Sequence, residues 1–238
     1  MFFRICFALL FLYGAAQANE QNINLPKNHP VHRKLDRLFA HSRPLLSLEA
    51  LIQAGFVKAK PRKFTHLIVT RHPAMPGYIF KLYLDPQRYP KGESEDVAWR
   101  QRIAGAEKIR KMIRKNNWER VFKVPRKWIY TTPKTHLDND YPCKLTLLVE
   151  EDMDLASSKK NRLLWKAISP KRLHQLQQIL QTIGLRDCAK PDNIPFSRDG
   201  KIAFIDTQSH GEESVAYKKL LPYLRPPMKV YWKKLNRR

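Results

Sequence analysis

Apolar residues fall at helical spacing in several stretches of the chain and gather into short strand-like runs in others, which predicts a mixture of helices and short strands. Leu173, Leu176, Leu180 and Ile183 lie three and four apart. Ser169 stands where a helix is capped, Pro170 suits the first helical position, and Gly184 marks the stop. A second helix is expected over about residues 96–116, with Trp99, Ile103, Ala106 and Ile113 as its apolar stripe. Its start is acidic (Glu93, Glu95, Asp96) and its end basic, as the helix dipole favours. Two short entry helices are read around Leu35, Leu38 and Phe39 and over 47–55, the latter between a Ser47 cap and Gly55.

The runs 64–70 and 78–84 have strand composition and flank a Pro-Ala-Met-Pro-Gly turn, so they predict a hairpin. Two more strand-like runs follow, 121–130, interrupted by Pro125, and 144–149, with a polar loop at 133–142 between them. Residues 156–160 read as a linker, 213–220 as a helix-like stretch, and 222–238 as a proline-broken basic tail. No internal repeat is present.

Composition adds an address and a charge. The chain has 238 residues, 43% of them hydrophobic, enough for one ordinary domain or two small ones with a real core. Residues 1–18 combine a basic start at Arg4, an apolar run too short to span a bilayer, and Ala16-Gln17-Ala18 as a cleavage site. The expectation is a signal peptide, an exported protein (periplasmic, secreted or lumenal) with no transmembrane segment after cleavage, and a disordered leader over 19–30. The formal net charge is +24, and removal of Arg4 leaves +23, so an anionic partner is expected. Nucleic acid is the weaker candidate, since no base-stacking or groove-reading motif accompanies the charge. After cleavage Cys143 and Cys188 remain, either as one disulfide or as two buried thiols. No paired-cysteine zinc pattern or metalloprotease histidine spacing occurs.

Chemistry-bearing residues concentrate after the Ser169 helix. Arg186, Asp187, Lys190, Asp192 and Asn193 fall within eight positions. A Ser-Arg-Asp-Gly turn at 197–200 then returns the chain as the apolar run 202–205, ending at Asp206. An Asn oxygen and a carboxylate brought together by such a hairpin suit a hard cation such as Mg²⁺. The order of helix, polar loop, hairpin and aspartate resembles the catalytic segment of the protein-kinase-like superfamily. Lys190-Pro191-Asp192-Asn193 is similar to that family's Lys-Pro-Glu-Asn, and the thirteen-residue step from Asn193 to Asp206 matches its spacing of metal-binding side chains.

The resemblance extends over about 64–208 and implies an α+β, protein-kinase-like fold. In it an N-terminal antiparallel sheet with a helix (about 56–150) precedes a reduced, mainly helical C-terminal lobe (about 155–238), all within one domain, 31–238. It implies that Lys81 contacts the phosphates of Mg-ATP, that Glu107 pairs with Lys81, and that Glu150 and Met153 lie in the hinge beside the adenine. Asn193 and Asp206 would hold Mg²⁺, Asp187 would act as base, and Lys190 would stabilise the transferring phosphoryl group. Residue by residue, alternatives stand beside these roles: Lys81 as an outward-facing strand lysine, Glu107 as a surface partner of Lys111, residues 150–155 as an acidic loop.

Three departures bear on activity. The position of the family's catalytic aspartate holds Cys188, with Asp187 one residue earlier. Asp-Phe-Gly is replaced by Asp206-Thr207-Gln208, and the glycine-rich loop is reduced to Gly77. Two functions are therefore expected: an exported kinase-like protein binding a Mg-nucleotide, or an inactive, pseudokinase-like binding protein for an anionic partner.

Overall fold

The computed structural model describes residues 23–40, 42–57, 66–84, 95–133 and 146–237. The expected signal peptide, the start of the leader, most of the 133–142 loop and Cys143 lie outside the described residues. The chain divides into two compact units, residues 1–100 with 127–150, and residues 101–126 with 151–238. The second unit takes in 101–126, which the resemblance assigns to the N-terminal lobe.

The described part of the first unit contains α1 (His32–Ala40), α2 (Leu48–Gln53) and a four-stranded sheet. Its strands are β1 (Ile68–Thr70), β2 (Tyr78–Leu82), β4 (Lys127–Thr131) and β5 (Thr146–Glu151), in the order β1-β2-β5-β4. The expected hairpin is present, with Val69 opposite Lys81 in antiparallel register, and β4 pairs antiparallel with β5 so that Lys127 faces Glu150. Ser47 accepts a hydrogen bond from the Ala50 N–H and caps α2. Leu35, Phe39, Leu51 and Phe56 pack with Phe80, Leu82, Leu147 and Val149 into one apolar cluster. The leader differs from expectation where it is described. Leu25 is buried, its N–H donates to the Ile129 carbonyl at 2.8 Å, and Asn24 bridges to Ile129 in parallel along the outer edge of β4. An apolar Leu25 beside an open strand edge gains both burial and hydrogen bonds, and this outweighs the polar composition around it.

Helix α3 (Glu95–Lys115) starts in the first unit and continues in the second. Ile103, Ala106 and Ile113 of the expected stripe are buried, joined by Ile109. The second unit also holds β3 (Phe122–Lys123), α4 (Ser158–Lys166), α5 (Pro170–Ile183), β6 (Ile202–Ala203), a 3₁₀ segment (Tyr217–Tyr223) and α6 (Pro226–Leu235). Helix α5 matches its sequence signals: the Ser169 hydroxyl accepts from the Arg172 N–H, proline opens the first turn, and Gly184 closes it at φ 66°. Its Leu173, Leu176, Ile179 and Leu180 join Trp165 of α4, Phe122, Phe204 and Trp232 of α6 in the second core.

Two elements depart from the reading of the sequence. The expected linker runs into α4, capped by Ser157, because Trp165 is buried in the core and draws the segment onto it. The expected basic tail contains α6, whose two prolines stand in its first turn, where a missing N–H costs nothing. Its Trp232 is buried in the same core. Among the described residues no helix is long and apolar enough to cross a membrane. The architecture is α+β with a small antiparallel sheet.

Candidate functional site

In the second unit the polar loop after α5 is built by local hydrogen bonds. The Leu185 N–H returns to the Leu180 carbonyl, and the N–H groups of Asn193 and Ile194 both reach the Lys190 carbonyl, closing a tight turn. The chain then comes back through β6, which pairs in parallel with β3 (Ile202 opposite Phe122) and bridges antiparallel to Phe196. One consequence is a direct bond from the Ile205 N–H to the Asn193 carbonyl at 3.1 Å, so the residue preceding Asp206 is tied to Asn193.

The side chains tighten this junction. Asn193 Nδ2 donates to the Asp187 carbonyl at 3.0 Å, which ties the two ends of the loop together. Cys188, the residue at the family's catalytic-aspartate position, is a buried thiol whose Sγ–H donates to the Asp206 carbonyl at 2.8 Å. Cys188 therefore holds the backbone at Asp206 and carries no carboxylate into the cluster. The Asp187 carboxylate accepts from Lys219 Nζ at 2.6 Å, and Lys190 pairs with Asp192 at 3.3 Å, both at half-exposed positions.

Asp206 has a partner from α3. Arg102 NH1 donates to its Oδ1 at 2.6 Å, with the arginine side chain only 7% exposed and the aspartate 29%. The fully buried Thr207 hydroxyl donates to the Arg102 carbonyl at 2.6 Å. One turn further along α3, Gly105 leaves no room for a side chain: a Cβ there would lie 2.0 Å from the Thr207 carbonyl oxygen. Helix α3 and the end of the hairpin are thus clamped by a hydroxyl bond, an ion pair and a backbone contact that only glycine permits. Any cation at Asp206 would share that carboxylate with a guanidinium. Among the described residues no three His, Cys, Asp or Glu side chains converge as a metal cluster.

Beyond Asp206, His210 Nδ1 lies 3.1 Å from Lys108 Nζ of α3. Burial, and then the Lys108 ammonium, lower the His210 pKa below its ordinary value.

Lys81, in the first unit, has an acidic partner that differs from the expected one. Glu150 Oε1 lies 3.0 Å from Lys81 Nζ and 2.9 Å from Lys127 Nζ, and the three side chains are 3%, 8% and 0% exposed. Burial opposes ionisation of Glu150, but the two ammonium groups, Lys127 ahead of Lys81, outweigh it and hold the carboxyl below its ordinary range. Glu107 is exposed and forms an ion pair with Arg110 on the same helix, whose second NH group reaches the Pro125 carbonyl at 2.9 Å. Met153 is buried at the end of the acidic stretch.

Arg102, Gly105 and Lys127 are the residues that reading the chain did not single out. Gly105 carried a signal, since a glycine inside a helix costs about 1 kcal/mol and is kept for close approach. Arg102 and Lys127 carried none, because basic residues are everywhere in this chain and their burial comes from pairing across long sequence separations. No family model matches the chain, and no curated protein matches it.

Proposed function

We propose that this is an exported protein with a kinase-like arrangement that has lost phosphotransfer and holds an acidic protein partner against its basic surface. The observation that carries this reading is the Arg102–Asp206 pair. A permanent cation occupies the carboxylate on which the resemblance would hang Mg²⁺. Removing a buried arginine from its partner costs on the order of 3–5 kcal/mol, which a weakly held cation does not repay. Three other residues that the resemblance names are paired as well: Asp187 with Lys219, Glu107 with Arg110, and Lys81 with a buried carboxylate shared with Lys127. The charge of +24 supports an anionic partner, and the leader pattern of residues 1–18 supports export.

The test is a pair of titrations on residues 19–238. Mg-ATP is expected to produce no Mg²⁺-dependent shift in the melting temperature. Poly-L-glutamate is expected to bind with an affinity that falls steeply between about 50 and 200 mM salt, as screening of exposed charges requires. A Mg²⁺-dependent stabilisation by ATP that Asp206→Ala abolishes would refute the reading.

One observation favours the second reading, a Mg-nucleotide site. The Ile205–Asn193 backbone bond holds the two oxygen-bearing side chains on adjoining segments. On that reading Arg102 must leave Asp206, so Arg102→Met strengthens Mg²⁺-dependent nucleotide binding. On the first reading it creates none.

A further inference from the structure

The 3₁₀ segment and α6 line an open pocket of about 750 Å³ in the second unit, and of its lining residues only Lys219 enters the roles above. Its volume lies within the range of pockets that hold small molecules. Its walls are apolar: Val215, Tyr217 and Leu221 line it and are only partly covered by the core. Trp232 closes one side, with its indole N–H already donated to the Tyr217 carbonyl at 2.9 Å, so that the ring offers hydrocarbon and no unmet donor.

The charged residues that line this apolar space are all basic. Lys218, Lys219, Lys233 and Arg237 all line the cavity, and all four are exposed along the chain's surface. Asp187 answers one of them, Lys219, at 2.6 Å. The lining also includes Asn236, whose Nδ2 is used on the Trp232 carbonyl while its buried Oδ1 meets no donor among the described residues.

We infer that this cavity binds a single-tailed phosphate monoester, an alkyl chain seated among Tyr217, Leu221 and Val215 with its phosphate among Lys218, Lys233 and Arg237. Each half of the site excludes a simpler ligand. Inorganic phosphate would satisfy the cations and leave the apolar walls in water. A neutral hydrocarbon would fill the walls and leave the cations of the rim without a counter-charge. A phosphate monoester carries about 1.5 to 2 negative charges near neutral pH, closer to the charge of the rim than one carboxylate is. The inference does not rest on the proposed function, since it concerns a cavity apart from the Arg102–Asp206 pair.

Calorimetric titration of residues 19–238 with octyl phosphate and decyl phosphate, both below their micelle concentrations, tests it. Burial of two more methylenes predicts roughly tenfold tighter binding of decyl phosphate, at one ligand per chain, with no detectable binding of inorganic phosphate or octanol. Lys218→Gln with Lys233→Gln, both on exposed positions, is expected to weaken decyl phosphate about tenfold and to flatten its salt dependence. Asp187→Asn, which leaves Lys219 to the ligand alone, is expected to strengthen it several-fold. Equal affinity for inorganic phosphate, equal affinity for the two chain lengths, non-stoichiometric uptake, or an unchanged affinity in the double lysine variant would overturn the inference.

Discussion

Replacing Glu150 by Gln keeps the shape of a buried side chain and deletes the charge that Lys81 and Lys127 share. At 3.0 and 2.9 Å, each pair interacts by about 5 kcal/mol at an effective dielectric of 20. That gross attraction is offset in the wild type by desolvation of all three groups, so the pair energies do not add up to a stability. The variant has a clearer ledger. Two ammonium groups stay in a place only 8% and 0% exposed with no carboxylate between them. The chain can relieve this by releasing a proton, which for a lysine with an ordinary pKa near 10.4 costs about 4.6 kcal/mol at pH 7. That cost is of the same order as the expected loss of about 3–5 kcal/mol, the range for removing one partner of a buried ion pair. Thermal unfolding followed by far-UV circular dichroism should show a midpoint about 10 °C lower, with hydrogen exchange quickened in β2, β4 and β5. A loss below about 1 kcal/mol would refute the reasoning. The matching control is Lys81→Met with Lys127→Met and Glu150→Leu, expected within about 2 kcal/mol of wild type or above it, because an apolar trio incurs no desolvation of charge. If the triple variant falls as far as Glu150→Gln, shape and not charge accounts for the effect. The sign of the pH dependence follows as well: the Glu150 pKa is lowered on folding from a reference near 4.5, so its contribution is complete above that value and is lost as pH falls through the folded one.

Three more outcomes are expected. Gly105→Ala, which in an exposed helix would stabilise by about 1 kcal/mol, should instead destabilise by about 2–3 kcal/mol in urea titration because the methyl group overlaps the Thr207 carbonyl; a gain in stability would refute the close approach. Arg102→Met, Asp206→Asn and the double variant should give a coupling energy of about 1–3 kcal/mol in a double-mutant cycle, and additive losses would mean that the 2.6 Å pair contributes nothing of its own. His210 has a folded pKa below 6.5, so the unfolded chain binds its proton first and stability falls as pH drops from about 6.5 through the folded value. Lys108→Ala should raise the His210 pKa in an NMR titration, and an unmoved pKa would exclude the ammonium as a cause.

Much of the local structure was legible in the sequence. The cap, stripe and stop of α5, the α3 stripe and the β1–β2 hairpin are all encoded by residues within a few positions of one another, where capping hydrogen bonds and side-chain periodicity operate. Helices α4 and α6 were obscured by their basic, proline-bearing composition, and it took the burial of Trp165 and Trp232 in the second core to bring them out. The adjoining of Asn193 and the Asp206 segment was likewise readable from a thirteen-residue hairpin.

What the tertiary structure alone decided is the partner of each charge. Asp206 was legible as a carboxylate at the end of a hairpin, but Arg102, 104 residues away, is its counter-ion. Lys81 was legible as a charge in the middle of a strand, and the carboxylate facing it belongs to Glu150 on another strand of the same sheet and not to Glu107. In a chain with 45 basic and 21 acidic residues, sequence spacing offers every acid several suitable bases. Which pair forms is determined by which of them the core draws out of water together, since only there does an unmet charge cost enough to choose.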